Sequence, residues 1–122
     1  MSIPEFKHFL VRHVDGVVVI EMTAKDIQGP DMAKEFIAEL LCVAEEEDQR
    51  PILLNLRRAV HFSSMGYAAL FKLVKSAKEH GRGVRFCNMH PDVKVGSDIV
   101  GLPLVVEIHD TEQSALQAFS AG

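Results

Sequence analysis

The sequence predicts an α/β fold, in which a mixed, mostly parallel β-sheet packs against about four helices in the element order ββαβαβαβα. Two observations support this prediction. Short apolar segments alternate with segments whose apolar residues recur every three or four positions, as they do on one face of a helix. An Asp-Gly pair separates the first two apolar segments. The alternation indicates parallel strands joined by right-handed helical crossovers, and the Asp-Gly pair adds an antiparallel hairpin.

The hairpin is expected in residues 9–22, FLVRHVDGVVVIEM. Two stretches rich in Val and Ile flank Asp15 and Gly16, a pair that tolerates the positive φ angles of a tight two-residue turn. We therefore expect two antiparallel strands at the start of the sheet.

The segment GPDMAKEFIAELLCVAEEEDQRP, residues 29–51, predicts the first helix. Pro30 suits a first helical position, and Pro51 ends the segment. The apolar residues expected on one face are Met32, Phe36, Ile37, Leu40, Leu41 and Ala44. The nearly uninterrupted apolar run ILLNL, residues 52–56, is typical of a strand buried between two layers of helix.

A second amphipathic helix is indicated by apolar residues at helical spacing from Tyr67 to Ala77, and Gly81 and Gly83 mark its end. The remaining patterns predict a strand at 84–88, a short helix from Pro91 to about Val100, a strand at 104–108 and a helix at 110–119.

Length and composition limit the kind of protein. With 122 residues and 48% hydrophobic content, residues 1–122 are expected to form one domain. The formal net charge of −4 argues against a broad nucleic-acid-binding surface. No segment has the pattern of a secretory leader or the length of a membrane span, so we expect a cytoplasmic protein. Cys42 and Cys87 lie within apolar patterns, which favours two reduced, buried side chains.

Three kinds of chemistry lack support in the motifs. Six histidines occur, but no His-x-x-x-His or Cys-x-x-Cys pair places two metal ligands on one face, so no metal site is expected. From Arg50 to Lys78 there is no Asp or Glu, which excludes a magnesium-dependent phosphoacceptor aspartate after the central strand. The run from Gly81 to Gly83 lacks the other residues of a phosphate-binding loop, and no cofactor is expected.

Two adjacent serines stand where the buried strand gives way to the second helix, in FSSMG at residues 62–66. Either Ser63 or Ser64 can cap the helix by accepting a hydrogen bond from a free backbone N–H, a contact typically worth about 1 kcal/mol. A helix N-terminus also tolerates a phosphate, which adds a charge of roughly −1.5 to −2. Gly66 is unfavourable in a helix, which suggests that another element closely approaches its backbone.

The segment from Arg50 to Lys78, which contains no Asp or Glu, is also rich in basic residues. Its cationic residues are Arg50, Arg57, Arg58, Lys72, Lys75 and Lys78. The three lysines follow one another at steps of three, along one flank of the second helix. Two interpretations stay open: a solvated helix face, or a local positive patch that binds an acidic partner or a nearby phosphate.

The chain resembles the STAS domain family, the fold of bacterial anti-sigma factor antagonists and of the cytoplasmic tails of sulphate transporters. The resemblance covers nearly the whole chain and rests on the order of its motifs. These are the Asp-Gly hairpin, ILLNL, FSSMG, GVRFCNMHP, IVGL and DTEQSALQAF. In well-studied members the serine loop is approximately Asp-Ser-Ser-Gly, and an anti-sigma factor that is also a kinase phosphorylates its first serine.

Aligned on Gly66, the resemblance assigns the phosphorylated position to Ser64. Ser63 then stands where the aspartate of the loop is usual, and Met65 replaces the second serine. Asn55 occupies a strand position where many relatives carry aspartate.

The resemblance implies an anti-sigma factor antagonist that acts by partner switching. The unmodified protein is expected to bind an anti-sigma factor with serine kinase activity, and phosphorylation of Ser64 is expected to abolish this binding. The resemblance also implies that ATP belongs to the kinase and that this chain is not an enzyme. The surface expected to bind the partner comprises Arg57, Arg58, Ser63, Ser64, Met65, Gly66, Lys72 and Lys75.

Two alternatives stay open. In the first, the domain is a scaffold subunit of a larger signalling complex and Ser64 only caps its helix. In the second, more distant one, Ser64 is a catalytic nucleophile with His61 as the neighbouring base, although the G-x-S-x-G pattern is missing. A homodimer is compatible with each of them, and no contact with nucleic acid or membrane is expected.

Overall fold

The first two strands form a hairpin in the computed structural model, which describes residues 6–121. Strand β1 (Phe9–Val14) pairs antiparallel with β2 (Val17–Met22). Asp15 and Gly16 connect them with φ angles of 50° and 78°. The predicted hairpin is confirmed, because both turn residues adopt the left-handed backbone region that an Asp-Gly pair tolerates.

The main sheet continues from β2 with β4 (Ile52–Asn55), β6 (Val84–Cys87) and β7 (Glu107–His109), and each of these pairings is parallel. Within residues 6–121 the sheet therefore has five strands, in the order β1-β2-β4-β6-β7. The predicted mixed, mostly parallel sheet is therefore confirmed. The carboxyl ends of the parallel strands face the same edge, where the connections into the helices lie.

In the described part of the chain, four helices cover the sheet, as predicted. They are α1 (Gly29–Ala44), α2 (Ser64–Glu79), α3 (Pro91–Val100) and α4 (Glu112–Ala121). The larger core joins buried residues of α1, α2 and α3 to one face of the sheet, on which Ile20 and Leu54 lie. Ala115 of α4 packs with Val19 and Leu53 on the opposite face. Alternate residues of β2 and β4 thus enter different cores, as the period of a strand requires.

Two short strands were not predicted. Strand β3 (Asp26–Ile27) pairs in parallel with β5 (His61–Phe62) and forms a separate two-stranded sheet. A two-residue strand is too short to show a periodic pattern in a sequence. The last strand of the main sheet also begins later than predicted, because Gly101 is left-handed and a 3-10 turn occupies Leu102–Leu104.

The two cysteines differ in environment. Cys87 is buried, as predicted, and burial raises the pKa of its thiol to about 12. The prediction for Cys42 is wrong, because this side chain is exposed. Cys42 lies two residues after buried Leu40, and two helical residues turn through about 200°, which points Cys42 away from the core.

Of the helices in residues 6–121, none has both the length and the apolar composition that crossing a membrane requires.

Candidate functional site

The serine loop is held by the short sheet that the sequence did not predict. The N–H of Val60 donates to the carbonyl of Lys25 at 2.7 Å, and the N–H of Ser63 donates to the carbonyl of Ile27 at 2.9 Å. Between these two bonds, β5 pairs with β3. The start of α2 is thereby attached to the connection between β2 and α1, which fixes the position of the serines.

Ser63 is the residue that caps α2. Its backbone is extended, with φ −73° and ψ 171°, and its Oγ accepts a hydrogen bond from the N–H of Gly66 at 3.2 Å. Its carbonyl accepts from the N–H of Tyr67 at 3.0 Å. The sequence left the choice between Ser63 and Ser64 open, and the structure assigns the cap to Ser63.

Ser64 is the first residue of α2, and it is exposed. Met65 follows with 41% of its surface exposed. The first turn of α2 contains no acidic residue. The Ser64 hydroxyl therefore lies at the positive end of the helix dipole and is available to other molecules. An anionic group on this hydroxyl would meet favourable electrostatics from the helix end.

Gly66 is buried, so it does not belong to the accessible surface on which the sequence analysis placed it. A Cβ atom at this position would lie 2.9 Å from Cδ1 of Phe62 and 3.2 Å from the carbonyl oxygen of Ile27. The predicted close approach is therefore present, and its partners are β3 and β5. Gly66 positions the serine loop and cannot itself contact a partner.

Helix α3 packs against the beginning of α2 through Tyr67. The buried Tyr67 hydroxyl donates to the carbonyl of Val93 at 2.9 Å, and burial raises the pKa of this phenol. Sequence analysis identified Tyr67 only as a residue of the apolar helix face. The hydrogen bond joins residues that are 26 positions apart, and no local pattern indicates such a contact.

The predicted basic residues are exposed but occupy two regions. Arg57 and Arg58 lie in the connection between β4 and β5, and within residues 6–121 neither guanidinium hydrogen-bonds to the serines. Lys72 and Lys75 lie on the exposed face of α2. Ser64 and Lys75 are separated by about three helical turns, so both project from the same face.

Asn55 connects β4 to α4. Its Nδ2 donates to Oε1 of Glu112 at 3.0 Å, and its Oδ1 accepts from the N–H of Arg57 at 2.9 Å. Arg12 also donates to Glu112, at 2.6 Å. Burial acts to raise the pKa of Glu112, but the bonds from Asn55 and Arg12 outweigh it and leave this pKa below its usual value. An aspartate at position 55 would face the Glu112 carboxylate, which explains why an amide fits here.

The nucleophile alternative finds no second catalytic group. His61 is exposed in β5, and within the described part of the chain it forms no hydrogen bond with Ser64. A serine nucleophile needs a base within hydrogen-bonding reach. The arrangement at the start of α2 is suited to modification or binding of the Ser64 hydroxyl by another protein.

Comparison with known proteins identifies a matching family model and several solved structures with a similar fold. A family model described as the STAS domain matches residues 2–115. An anti-sigma-factor antagonist (STAS) domain protein from Planctomyces limnophilus is 23% identical, with a TM-score of 0.78 over 90% of this chain and 95% of that chain. The anti-sigma factor antagonist SpoIIAA from Bacillus, in its unphosphorylated form, is 16% identical, with a TM-score of 0.74 over 93% and 97% of the two chains.

SpoIIAA in its phosphorylated form is also similar, with 17% identity and a TM-score of 0.66 over 91% of this chain and 98% of that chain. The murine anion transporter Slc26a9 contains a similar domain, with 14% identity and a TM-score of 0.76 over 91% of this chain but only 19% of that chain. At these identities, the likeness to solved structures establishes the fold.

Proposed function

The chain belongs to the STAS domain family, and we propose that it acts as an anti-sigma factor antagonist whose binding to its partner is switched off by phosphorylation of Ser64. One observation supports this proposal above all others. Ser63 caps α2, so the exposed Ser64 hydroxyl has no capping role and is free to be modified.

The division of roles between the serines allows modification without unfolding. The cap on Gly66 and the backbone bond to Ile27 both come from Ser63, and they persist when Ser64 carries a phosphate. The first turn of α2 contains no acid that would repel the new charge. Phosphorylation at a helix N-terminus is favourable or neutral for the helix. We therefore expect the domain to keep its fold in both states.

Phosphorylation of Ser64 would instead alter the surface that the partner contacts. In the unmodified protein, Ser64 and Met65 present a small hydroxyl and an apolar side chain on an exposed turn. A phosphate replaces this surface with a strongly hydrated group that carries roughly two negative charges. A partner surface fitted to the hydroxyl must then strip water from the phosphate or lose contact. Weaker binding is the expected result.

The partner is proposed to be an anti-sigma factor with serine kinase activity. It would bind ATP and transfer the phosphate, and this chain would supply only the acceptor hydroxyl. SpoIIAA, a described anti-sigma factor antagonist with this fold, exists in unphosphorylated and phosphorylated forms. An anti-sigma factor partner would place the protein in the cytoplasm.

A scaffold role is the second candidate. The similar domain of Slc26a9 makes up only a small part of a much longer transporter chain, so this fold also occurs as one part of a larger protein. In that role Ser64 would remain unmodified, and its replacement would leave assembly unchanged.

Phosphate transfer tests the proposal directly. The purified chain is incubated with ATP and an anti-sigma factor kinase from the same organism, and the tryptic peptide of residues 59–72 is analysed by mass spectrometry. We expect one phosphate on Ser64 in the wild type and in Ser63→Ala, which loses only a cap worth about 1 kcal/mol. We expect none in Ser64→Ala. A phosphate on Ser63, or unchanged labelling of Ser64→Ala, would contradict the proposal.

A further inference from the structure

A groove with an apolar floor and a cationic rim lies on the second half of α2, away from the serines. Phe71 and Val74 of α2 and Val105, which follows the 3-10 turn, form its apolar part. Lys75 and Lys78 form its rim. The groove has a volume of about 260 Å³.

A hydrogen bond holds one of the two lysines of the rim. Nζ of Lys78 donates to the carbonyl of Val105 at 2.7 Å, which connects α2 to the 3-10 turn across the groove. A second depression of about 310 Å³ shares Lys78 with the groove and is lined in part by Leu104, whose side chain is 89% exposed. Val105 beside it is 36% exposed, so the apolar surface is continuous between this depression and the groove.

Charge complementarity identifies the occupant. Within residues 6–121, neither Lys75 nor Lys78 forms an ion pair with a carboxylate. The chain as a whole carries a net charge of −4, yet no acidic residue occurs from position 50 to position 78. Glu107 lines the adjacent depression, but its carboxylate is paired with Arg85 at 3.1 Å. The two lysines therefore form a local positive rim on an otherwise acidic protein, and such a rim attracts carboxylates.

We propose that this lysine-rimmed groove binds an acidic amphipathic segment of a partner protein. Apolar side chains on one face of that segment enter the space between Phe71 and Val105, and carboxylates on its flank contact Lys75 and Lys78. A segment of this kind is typical of helix-in-groove recognition, in which apolar anchors give affinity and flanking charges give orientation.

This binding site is separate from the phosphorylation site. Lys75 lies 11 residues after Ser64, about 16 Å along the helix axis, so one segment can occupy the groove without covering the hydroxyl. The inference does not depend on phosphorylation of Ser64. If one partner contacts both regions, the groove contributes affinity for that partner. Phosphorylation of Ser64, at the other end of α2, then weakens the binding of the same partner.

The test is a titration of the ¹⁵N-labelled full chain, followed by NMR, with two synthetic amphipathic peptides. Both carry leucines at the same positions, and one has glutamates where the other has lysines. We expect the acidic peptide to shift the amide signals of Phe71, Val74 and Val105 and to bind at least about 10-fold more tightly than the basic one. Ser64→Ala should not change this result.

Charge reversal provides the matched control. The double variant Lys75→Glu/Lys78→Glu should lose the preference for the acidic peptide, whereas Lys34→Glu, which makes the same type of charge change on the exposed surface of α1, should retain it. Leu104→Ser should weaken binding without affecting the fold, because this side chain is exposed.

Equal binding of both peptides, or shifts confined to other regions, would overturn the proposal. Binding to phosphatidylserine vesicles without binding to the acidic peptide would also overturn it, in favour of a lipid surface.

Discussion

Replacing Arg82 with methionine is expected to lower the free energy of unfolding by about 3 kcal/mol or more. Arg82 is only 2% exposed, and its guanidinium is placed at the end of α1. It donates to the carbonyl of Val43 at 2.7 Å and to the carbonyl of Arg50 at 2.8 Å. Methionine fills a similar space but cannot donate to either carbonyl, and the Val43 carbonyl then keeps only the long bond from the N–H of Glu46 at 3.4 Å. Losing these charge-assisted hydrogen bonds costs more than the apolar contacts return.

The turn at the end of α2 directs Arg82 to this position. Gly81 is left-handed, with φ 70°, and the N–H of Arg82 donates to the carbonyl of Ala77 at 2.8 Å. This is the geometry of a Schellman C-cap, which reverses the chain after the helix. Burial lowers the pKa of the guanidinium, and the carboxylates of Asp48 and Glu46 only partly oppose this effect.

A lysine variant separates charge from geometry. Arg82→Lys keeps the positive charge but cannot reproduce a planar group that donates in two directions, so we expect it to lose nearly as much stability as Arg82→Met. Arg58→Met, at an exposed position, should change stability by less than about 0.5 kcal/mol. Chemical denaturation monitored by circular dichroism measures all three variants. A loss below about 1 kcal/mol for Arg82→Met would show that the guanidinium is dispensable.

Replacing Gly66 with alanine is expected to lower the free energy of unfolding by about 2 kcal/mol and to loosen the serine loop. The added Cβ would lie 2.9 Å from the Phe62 ring and 3.2 Å from the carbonyl oxygen of Ile27. Phe62 is 5% exposed and Ile27 is fully buried, so neither can withdraw freely. Alanine favours the helix by up to about 1 kcal/mol, but the displacement of α2 from β3 outweighs this gain.

Gly83→Ala is the matched control for this change. A Cβ at Gly83 would meet Phe119 and Pro51 at 3.5 Å, which is an ordinary contact distance. We expect it to change stability by less than about 1 kcal/mol, and thermal unfolding can compare the two variants. Hydrogen exchange should also show faster opening of the Ser63 N–H in Gly66→Ala, since its acceptor, the Ile27 carbonyl, is displaced. If Gly66→Ala is as stable as Gly83→Ala, the close packing of α2 on β3 is not required.

Local patterns were sufficient to predict the main elements of this fold. The Asp15-Gly16 pair, the buried run at 52–56 and the helical spacing after Gly66 are all short-range signals, and the structure contains the hairpin, the central strand and α2 where they were expected. The two-residue strands β3 and β5 carry no such signal, because their pairing depends on backbone groups that are far apart in the chain.

The candidate functional site was only partly predictable, because contacts between residues far apart in the chain leave no local pattern in the sequence. The serine pair indicated a helix start, yet the choice of Ser63 as the cap depends on backbone angles that either serine could have adopted. Two structural contacts were missed because they join distant positions. These are the bond from Tyr67 to Val93 and the bond from Asn55 to Glu112, which span 26 and 57 residues.

The affinity of the anti-sigma partner for the unmodified chain and for the chain with phosphoserine at position 64 tests the central claim most directly. Isothermal titration calorimetry is the measurement, and circular dichroism and thermal unfolding of both forms serve as controls for the fold. We predict binding at least about 100-fold weaker for the phosphorylated form, a difference of roughly 2.7 kcal/mol, with the fold unchanged. Equal affinity of the two forms would contradict the claim that a charge on Ser64 controls docking.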